Sequence, residues 1–215
     1  GAAAIKIAVD LVNEGLITKE EAILRVEPEQ LNQLLLPQLD KEAVKKALEI
    51  ASGLNASPGA GCGQIVFTAD EAEAWAKEGK KVLLVRKETS PDDIAGMAVA
   101  QGILTSTGGR TSHAAVVARG MGTPCVCGCS DVVFKDANTI VVNGKSYKKG
   151  AFLTIDGGAG KVYEGQVAVK PAAISGDLET FLGWADEVRN NSTRTTPSGK
   201  TVKGFDVYAN GDTPK

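Results

Sequence analysis

The sequence predicts an α/β fold with an N-terminal helical appendage and a C-terminal linker. Three observations carry that expectation. Residues 81–85 read as a short strand that is continuously apolar after Lys81, the pattern of a strand buried on both faces of a parallel sheet. Residues 102–120 read as a strand, a tight loop and a helix, the order that places functional groups on the loops of α/β units. From Thr139 onward β-rich segments flank Asn143-Gly144 and Asp156-Gly157-Gly158, both hairpin-turn signals.

The elements follow in order. Residues 4–52 read as helical. In 4–13, Ile5, Ala8, Val9 and Val12 have helical spacing, and Gly15 ends the helix. Thr18-Lys19-Glu20-Glu21 is a capping box that opens a second helix. Pro28 suits the first position of a third, running through 34–36. Asp40 begins a fourth, with Val44, Leu48 and Ile50 as its apolar stripe. Residues 53–63 are rich in glycine and alanine and read as a loop into the main domain. They do not spell G-x-G-x-x-G, and no helix follows at once, which argues against a dinucleotide site. Residues 64–68 read as a strand, and 69–78 as an alanine-rich helix capped by Thr68 or Asp70. Residues 86–93 are a polar loop, and Pro91 opens a helix through Ile94, Met97 and Val99. Residues 102–105 and 124–128 read as strands. The hairpins pair 139–142 with 145–147, and 152–155 with 161–163. Gly158-Ala159-Gly160-Lys161 is similar to a P-loop, but Ile155 and Val162 break the pattern, so it reads as a turn. Residues 178–188 suit a helix with Phe181, Leu182, Trp184 and Ala185 inward. Residues 190–203 read as a polar linker, and 205–209 as a lone strand.

The chain has 215 residues and a net charge of −2. That balance offers no basic field for nucleic acid or an anionic membrane. No apolar run approaches the ~20 residues of a membrane span. Of the four cysteines, Cys125, Cys127 and Cys129 alternate and would share one face of a strand. With one histidine and no C-x-x-C spacing, they read as buried thiols of a reducing compartment, and no metal site is expected.

The chemistry concentrates in Gly108-Gly109-Arg110-Thr111-Ser112-His113-Ala114-Ala115-Val116-Val117-Ala118-Arg119-Gly120, which holds the only histidine of the chain. Two glycines and a polar triplet disfavour a helix interior, whereas 114–119 suit one. His113 therefore falls in a first helical turn, capped by Thr111 or Ser112. Free N–H groups and the positive end of the helix dipole favour an anion there and disfavour imidazolium. His113 is thus expected to stay neutral and nucleophilic near neutral pH. Arg110 adds a guanidinium suited to phosphate oxygens. These features point to a phosphoryl acceptor.

Residues 108–124 resemble the phosphohistidine signature of enzymes that exchange phosphoryl groups with phosphoenolpyruvate: the pyruvate phosphate dikinases, the phosphoenolpyruvate synthases and the first enzyme of the sugar phosphotransferase system. Ile5 to Leu31, Ala56-Ser57-Pro58-Gly59, residues 85–91, 184–189 and 210–214 resemble dikinase segments, so the likeness covers essentially the whole chain. Ala114 to Gly122 is most similar to the dikinases. Arg110 and Pro124 are more usual in the other two, and Ser112 argues against the synthases.

The resemblance implies a swivelling β/β/α phosphohistidine domain at 54–170. Residues 1–53 would be the end of a nucleotide-binding part or linker, and 171–215 a linker and the start of a pyruvate/phosphoenolpyruvate-binding barrel. It implies that His113 is the phosphorylated nucleophile, through Nε2. Arg110, Thr111, Ser112 and Gly109 would stabilise the phosphoryl group. Thr111 would also be a regulatory phosphorylation site, as in plant-type dikinases. The implied overall reaction converts ATP, phosphate and pyruvate to AMP, diphosphate and phosphoenolpyruvate. ATP and magnesium would be bound by other domains of a homodimeric full-length enzyme, and none by this fragment, which by itself would not turn over. A cytoplasmic location is expected, with plastid or glycosome as alternatives. Two further readings stay open: a carrier domain with another acceptor, and a non-catalytic interaction domain.

Overall fold

A computed structural model describes residues 2–171, 176–191, 193–195 and 201–203. Its contacts divide the chain into one unit of Gly1–Leu34 with Ala173–Lys215, and a second of Leu35–Ala172.

The first unit is helical because its apolar residues recur every three or four positions. It contains α1 (Ala2–Asn13), α2 (Lys19–Arg25), most of α3 (Pro28–Leu35), and a long helix over Asp177–Asn191. Thr18 caps α2 in the expected box: its hydroxyl accepts from Glu21 N, and the Glu21 carboxylate accepts from Thr18 N. Ile5, Ala8 and Val9 bury against Ala22 and Val26, and against Leu178, Phe181 and Trp184. The Lys19 ammonium holds Glu187 at 2.7 Å. Thr193–Thr195 and Thr201–Lys203 form a short antiparallel hairpin inside the expected linker. The strand expected at 205–209 lies outside the described residues.

The second unit carries β1 (Gln38–Leu39), α4 (Lys41–Lys46), β2 (Glu49–Ser52), β3 (Leu54–Ser57), β4 (Ala60–Val66) and α5 (Ala69–Lys77). It continues with β5 (Val82–Arg86), α6 (Ile94–Val99), β6 (Gly102–Thr105), α7 (His113–Met121) and β7 (Cys125–Cys127). β8 (Val132–Asp136), β9 (Thr139–Val142), β10 (Lys145–Lys148), β11 (Phe152–Asp156), β12 (Lys161–Glu164) and β13 (Val169–Lys170) complete it. Eight strands form one mixed sheet in the order β2-β12-β11-β4-β5-β6-β7-β3. Its centre, β4 to β7, is parallel, and the flanking pairings are antiparallel. A second sheet has the order β10-β9-β8, and β1 pairs with β13 where the chain enters and leaves the unit.

The central strands are apolar on both faces because both faces are covered. Leu83 and Val85 join Ile65, Leu104, Val126, Ile140 and Val142 between the two sheets. Val82 and Leu84 join Val66, Met97, Ile103, Ala114, Ala115 and Ala118 under the helices. The layers are thus sheet, sheet and helices, the β/β/α arrangement expected. On the eight-stranded sheet, Gly157 in the β11–β12 turn donates its N–H to Gly59 O at 2.8 Å and passes against Ser57.

Three stretches differ from the sequence reading. Only Lys41–Lys46 of 40–52 is helical; Ile50 is buried on β2, while Leu48 is 60% exposed. Within 53–63, expected as a loop, lie β3 and the start of β4. β8 was not legible, because Lys135 and Asp136 interrupt its apolar pattern. These strands take their shape from distant partners: β2 from β12, β3 from β7, β8 from β9.

A tie between layers makes the fold pH-sensitive. Tyr147 donates to Glu164 Oε2 at 3.3 Å. Burial, then the Glu164 charge, pushes its phenol up to about 12. An unfolded tyrosine ionises near 10, so the unfolded state gains charge first. Stability contributed here is full below about pH 10 and is lost as pH rises towards 12. Urea midpoints measured across that window should fall less steeply for Tyr147→Phe than for the wild type.

Candidate functional site

The site lies where β6 hands the chain to α7. Ala114, Ala115 and Ala118 bury one helix face, so the helix is anchored from its first turn. Ser112 is its N-cap: the hydroxyl accepts from Ala115 N at 3.4 Å and lies 3.7 Å from Cys127 Sγ. Thr111, the other candidate cap, is exposed and does not cap. Gly122 closes the helix in the left-handed region, φ 69°, which glycine occupies at little cost.

The loop before the helix is held by backbone groups. Ser106 N and Thr107 N donate to the carbonyls of Arg86 and Lys87 at 3.1 and 2.9 Å, tying it to the end of β5. Ser112 N donates to Gly109 O at 3.0 Å. On the other side Gly128 follows β7, and a Cβ there would stand 2.7 Å from Gly108 O. Only a residue without a side chain lets the two loops approach so closely.

His113 is half-buried at the first position of α7. Its Nδ1 is 2.9 Å from the hydroxyl of Thr89, which is buried in the loop after β5. Among the described residues no hydrogen-bond partner meets Nε2. A ring nitrogen without a partner, beside a helix N-terminus, is suited to attack an electrophilic phosphorus in the tautomer that leaves it bare.

Arg110 is exposed. Its guanidinium donates to Asn55 Oδ1 of β3 at 2.8 Å, so its hydrogen bond goes across to the sheet edge rather than to His113. Its carbonyl accepts from Arg119 Nη2, while Arg119 Nε donates to Ala115 O at 3.0 Å. Gly109 is half-buried, with open space where a side chain would stand. The structure thus gathers Gly109, Arg110, Thr111, Ser112 and His113 into one loop and helix start. It adds Thr89, Asn55 and Arg119, to which sequence reasoning gave no role. Thr89 carried one signal, its place just before a proline-led helix at the end of a buried strand. Asn55 carried none.

The three alternating cysteines do not share a face. β7 ends at Cys127, so Cys125 and Cys127 face the helices while Cys129 turns into the layer between the sheets. The sulfurs of Cys125 and Cys127 are 3.5 Å apart. The contact with Cys127, then burial, pushes the Cys125 thiol up, and burial takes Cys129 to about 11. Among the described residues no three His, Cys, Asp or Glu side chains gather to hold a metal ion. Among them, too, no helix is long and apolar enough to cross a membrane.

Comparison with known proteins bears on this geometry. Residues 78–160 match the family "PEP-utilising enzyme, mobile domain". The chain is 52% identical over 216 residues to pyruvate, phosphate dikinase 1, chloroplastic, of Oryza sativa subsp. japonica, covering all of this chain and 21% of that protein. It is 49% identical over 216 residues to pyruvate, phosphate dikinase 2 of Zea mays, covering all of this chain and 23% of the relative. It is 50% identical over 194 residues to the pyruvate, phosphate dikinase of Clostridium symbiosum, covering 90% of this chain and 22% of the relative. The chain therefore spans about a fifth of the length of these relatives.

Proposed function

We propose, from the match of residues 78–160 to the mobile domain of PEP-utilising enzymes and a whole-chain identity of about half to pyruvate, phosphate dikinases, that this chain is the phosphoryl carrier of such an enzyme. The observation that carries the reading is His113 at the start of α7, Nδ1 engaged by Thr89 and Nε2 free.

The proton sits on Nδ1 and is donated to Thr89 Oγ1, which leaves the lone pair on Nε2. Nε2 attacks phosphorus, an N–P bond forms, and the P–O bond to the leaving group breaks with its electron pair on that oxygen. With phosphoenolpyruvate as donor the leaving group is the enolate of pyruvate. The reverse transfer regenerates the free ring. A phosphoryl group on Nε2 would be favoured by the positive end of α7, whose first turn Ser112 fixes. Arg110 leaves Asn55 to meet the added charge. Thr111, exposed beside the nucleophile, is where a regulatory phosphate would block the site by repulsion and bulk.

ATP and magnesium are assigned to parts of the parent protein outside this chain, and no step here runs through a metal. The parent reaction is ATP, phosphate and pyruvate to AMP, diphosphate and phosphoenolpyruvate, in a homodimer located in cytoplasm or an organelle. Leu35–Ala172 is the part proposed to swivel between the nucleotide-binding domain and the pyruvate barrel, tethered where β1 and β13 pair. In-line geometry at two separate closed sites calls for such movement.

The test is the stoichiometry of the parent enzyme. Pyruvate-dependent ATP consumption should require inorganic phosphate and release one diphosphate per phosphoenolpyruvate. Turnover without added phosphate, with no diphosphate released, would replace the dikinase reading with a synthase.

A further inference from the structure

The loop that carries Thr89 is closed at its base by an ion pair between buried Asp93 and half-buried Arg86, which the carrier reaction does not touch. Asp93 ends a short 3-10 turn over Pro91–Asp93 and is 4% exposed. Its carboxylate accepts from Ser90 N at 2.9 Å and faces Arg86, with Nη2 at 3.4 Å from Oδ2 and Nε at 3.3 Å from Oδ1. Arg86 Nη1 also donates to Phe67 O at 3.0 Å. Residues 86, 90 and 93 are thereby drawn together, and Thr89 is presented from the arch between them. The backbone of the same arch is bound to the histidine loop through the Arg86 and Lys87 carbonyls.

Stability alone is a poor account of this pair. Taking the Asp93 carboxylate out of water costs about as much as its attraction to a half-buried guanidinium returns. The geometry is imperfect besides: Arg86 Nε is buried and off the hydrogen-bond direction. What the pair does secure is the position of one hydroxyl relative to one ring nitrogen.

We infer that Arg86 and Asp93 are positioning residues: their ion pair holds Thr89 against His113 Nδ1 and so sets which ring nitrogen is left to accept the phosphoryl group. The inference rests on the carrier reading and adds to it the control of the tautomer. A histidine free in water prefers its proton on Nε2, the wrong nitrogen for attack there. The Thr89 hydroxyl, held at Nδ1 and accepting there, reverses that preference. If the arch relaxes, Thr89 leaves Nδ1, the proton returns to Nε2, and the nucleophile is lost without any change at His113 itself.

His113 is the only histidine of the chain, so its ring gives one isolated pair of 15N resonances. With the 15N-labelled chain at a pH where the ring is neutral, Nδ1 should read as the protonated nitrogen and Nε2 as the bare one. Thr89→Val and Asp93→Asn should both move the population towards the Nε2–H form, with amide spectra unchanged away from residues 86–93 and 106–113. In the parent enzyme the same changes should slow His113 phosphorylation by about 10- to 100-fold, the scale of a small misplacement of a reacting group. Arg86→Lys, which keeps the charge, should retain more of the Nδ1–H form than Arg86→Gln. Should Asp93→Asn not fold, that lysine–glutamine contrast decides the matter. A folded Asp93→Asn with the wild-type tautomer, or a wild-type ring already protonated on Nε2, overturns the inference. Absence of phosphate on wild-type His113 would remove the carrier reading instead, and the ring spectra would still judge the positioning.

Discussion

His113→Ala in the parent enzyme should abolish phosphoryl uptake from phosphoenolpyruvate, a loss on the order of 10^4-fold or more, the scale felt when a covalent nucleophile is removed. This chain has no second histidine to substitute for it. The nearby hydroxyls are poor replacements: Ser112 is committed to capping α7, and Thr89 lies on the far side of the ring. The fold should tolerate the change. Alanine is the best helix former, and a half-buried first-turn position carries little packing, so the unfolding free energy from urea titration should change by less than about 1 kcal/mol. The measurement is incorporation of label from 32P-phosphoenolpyruvate into wild type and variant. The wild-type label should be acid-labile and base-stable, as an N–P bond is. Equal labelling of the two proteins would end the carrier reading and favour a non-catalytic interaction domain.

Gly157→Ala should be among the most damaging single changes to the fold, although it adds only one methyl group. A Cβ at Gly157 would stand 1.9 Å from Ser57 O and 2.9 Å from Cys125 N. Both are backbone atoms, so no rotamer change relieves the collision. β3 must move away, which strains its pairing with β7 and the Gly157–Gly59 hydrogen bond. Overpacking of this kind costs about 3 kcal/mol or more. The neighbouring Gly158 is the control, since its nearest contact would be the Asp156 carboxylate at 3.3 Å. Gly158→Ala should therefore stay within about 1 kcal/mol of wild type. Urea denaturation of the two variants reads the contrast. Because β3 carries Asn55, the Gly157 variant should also disturb the Arg110–Asn55 hydrogen bond.

Those two glycines mark where sequence reasoning stops. Asp156-Gly157-Gly158 was legible as a turn, since turn chemistry is local. Which glycine lies against Ser57 was not, because Ser57 is brought there by the pairing of strands far apart in sequence. The same line runs through the whole molecule. The capping box at Thr18, the buried β5, the Asn143-Gly144 hairpin and the histidine at a helix start were all visible, and Thr68 was one of two caps read for α5. Each depends on residues within a turn of one another, or on a strand whose composition shows burial on both faces. The edge strands β2, β3 and β8 were not visible, since their own residues only weakly favour extension and their shape comes from the neighbour they pair with.

By itself the sequence determined the α/β class and one histidine at a helix start: helical period, strand period, capping and paired glycines need no distant partner. Tertiary structure alone decided what surrounds that histidine. Thr89 reaches the ring from 24 residues away and Asn55 reaches Arg110 from 55, and the Arg86–Asp93 pair that sets the first contact is formed by a fold in the chain. The reason is physical: periodicity reports which face of an element avoids water, whereas a hydrogen bond reports which two elements ended up side by side, and that follows from the packing of the whole sheet.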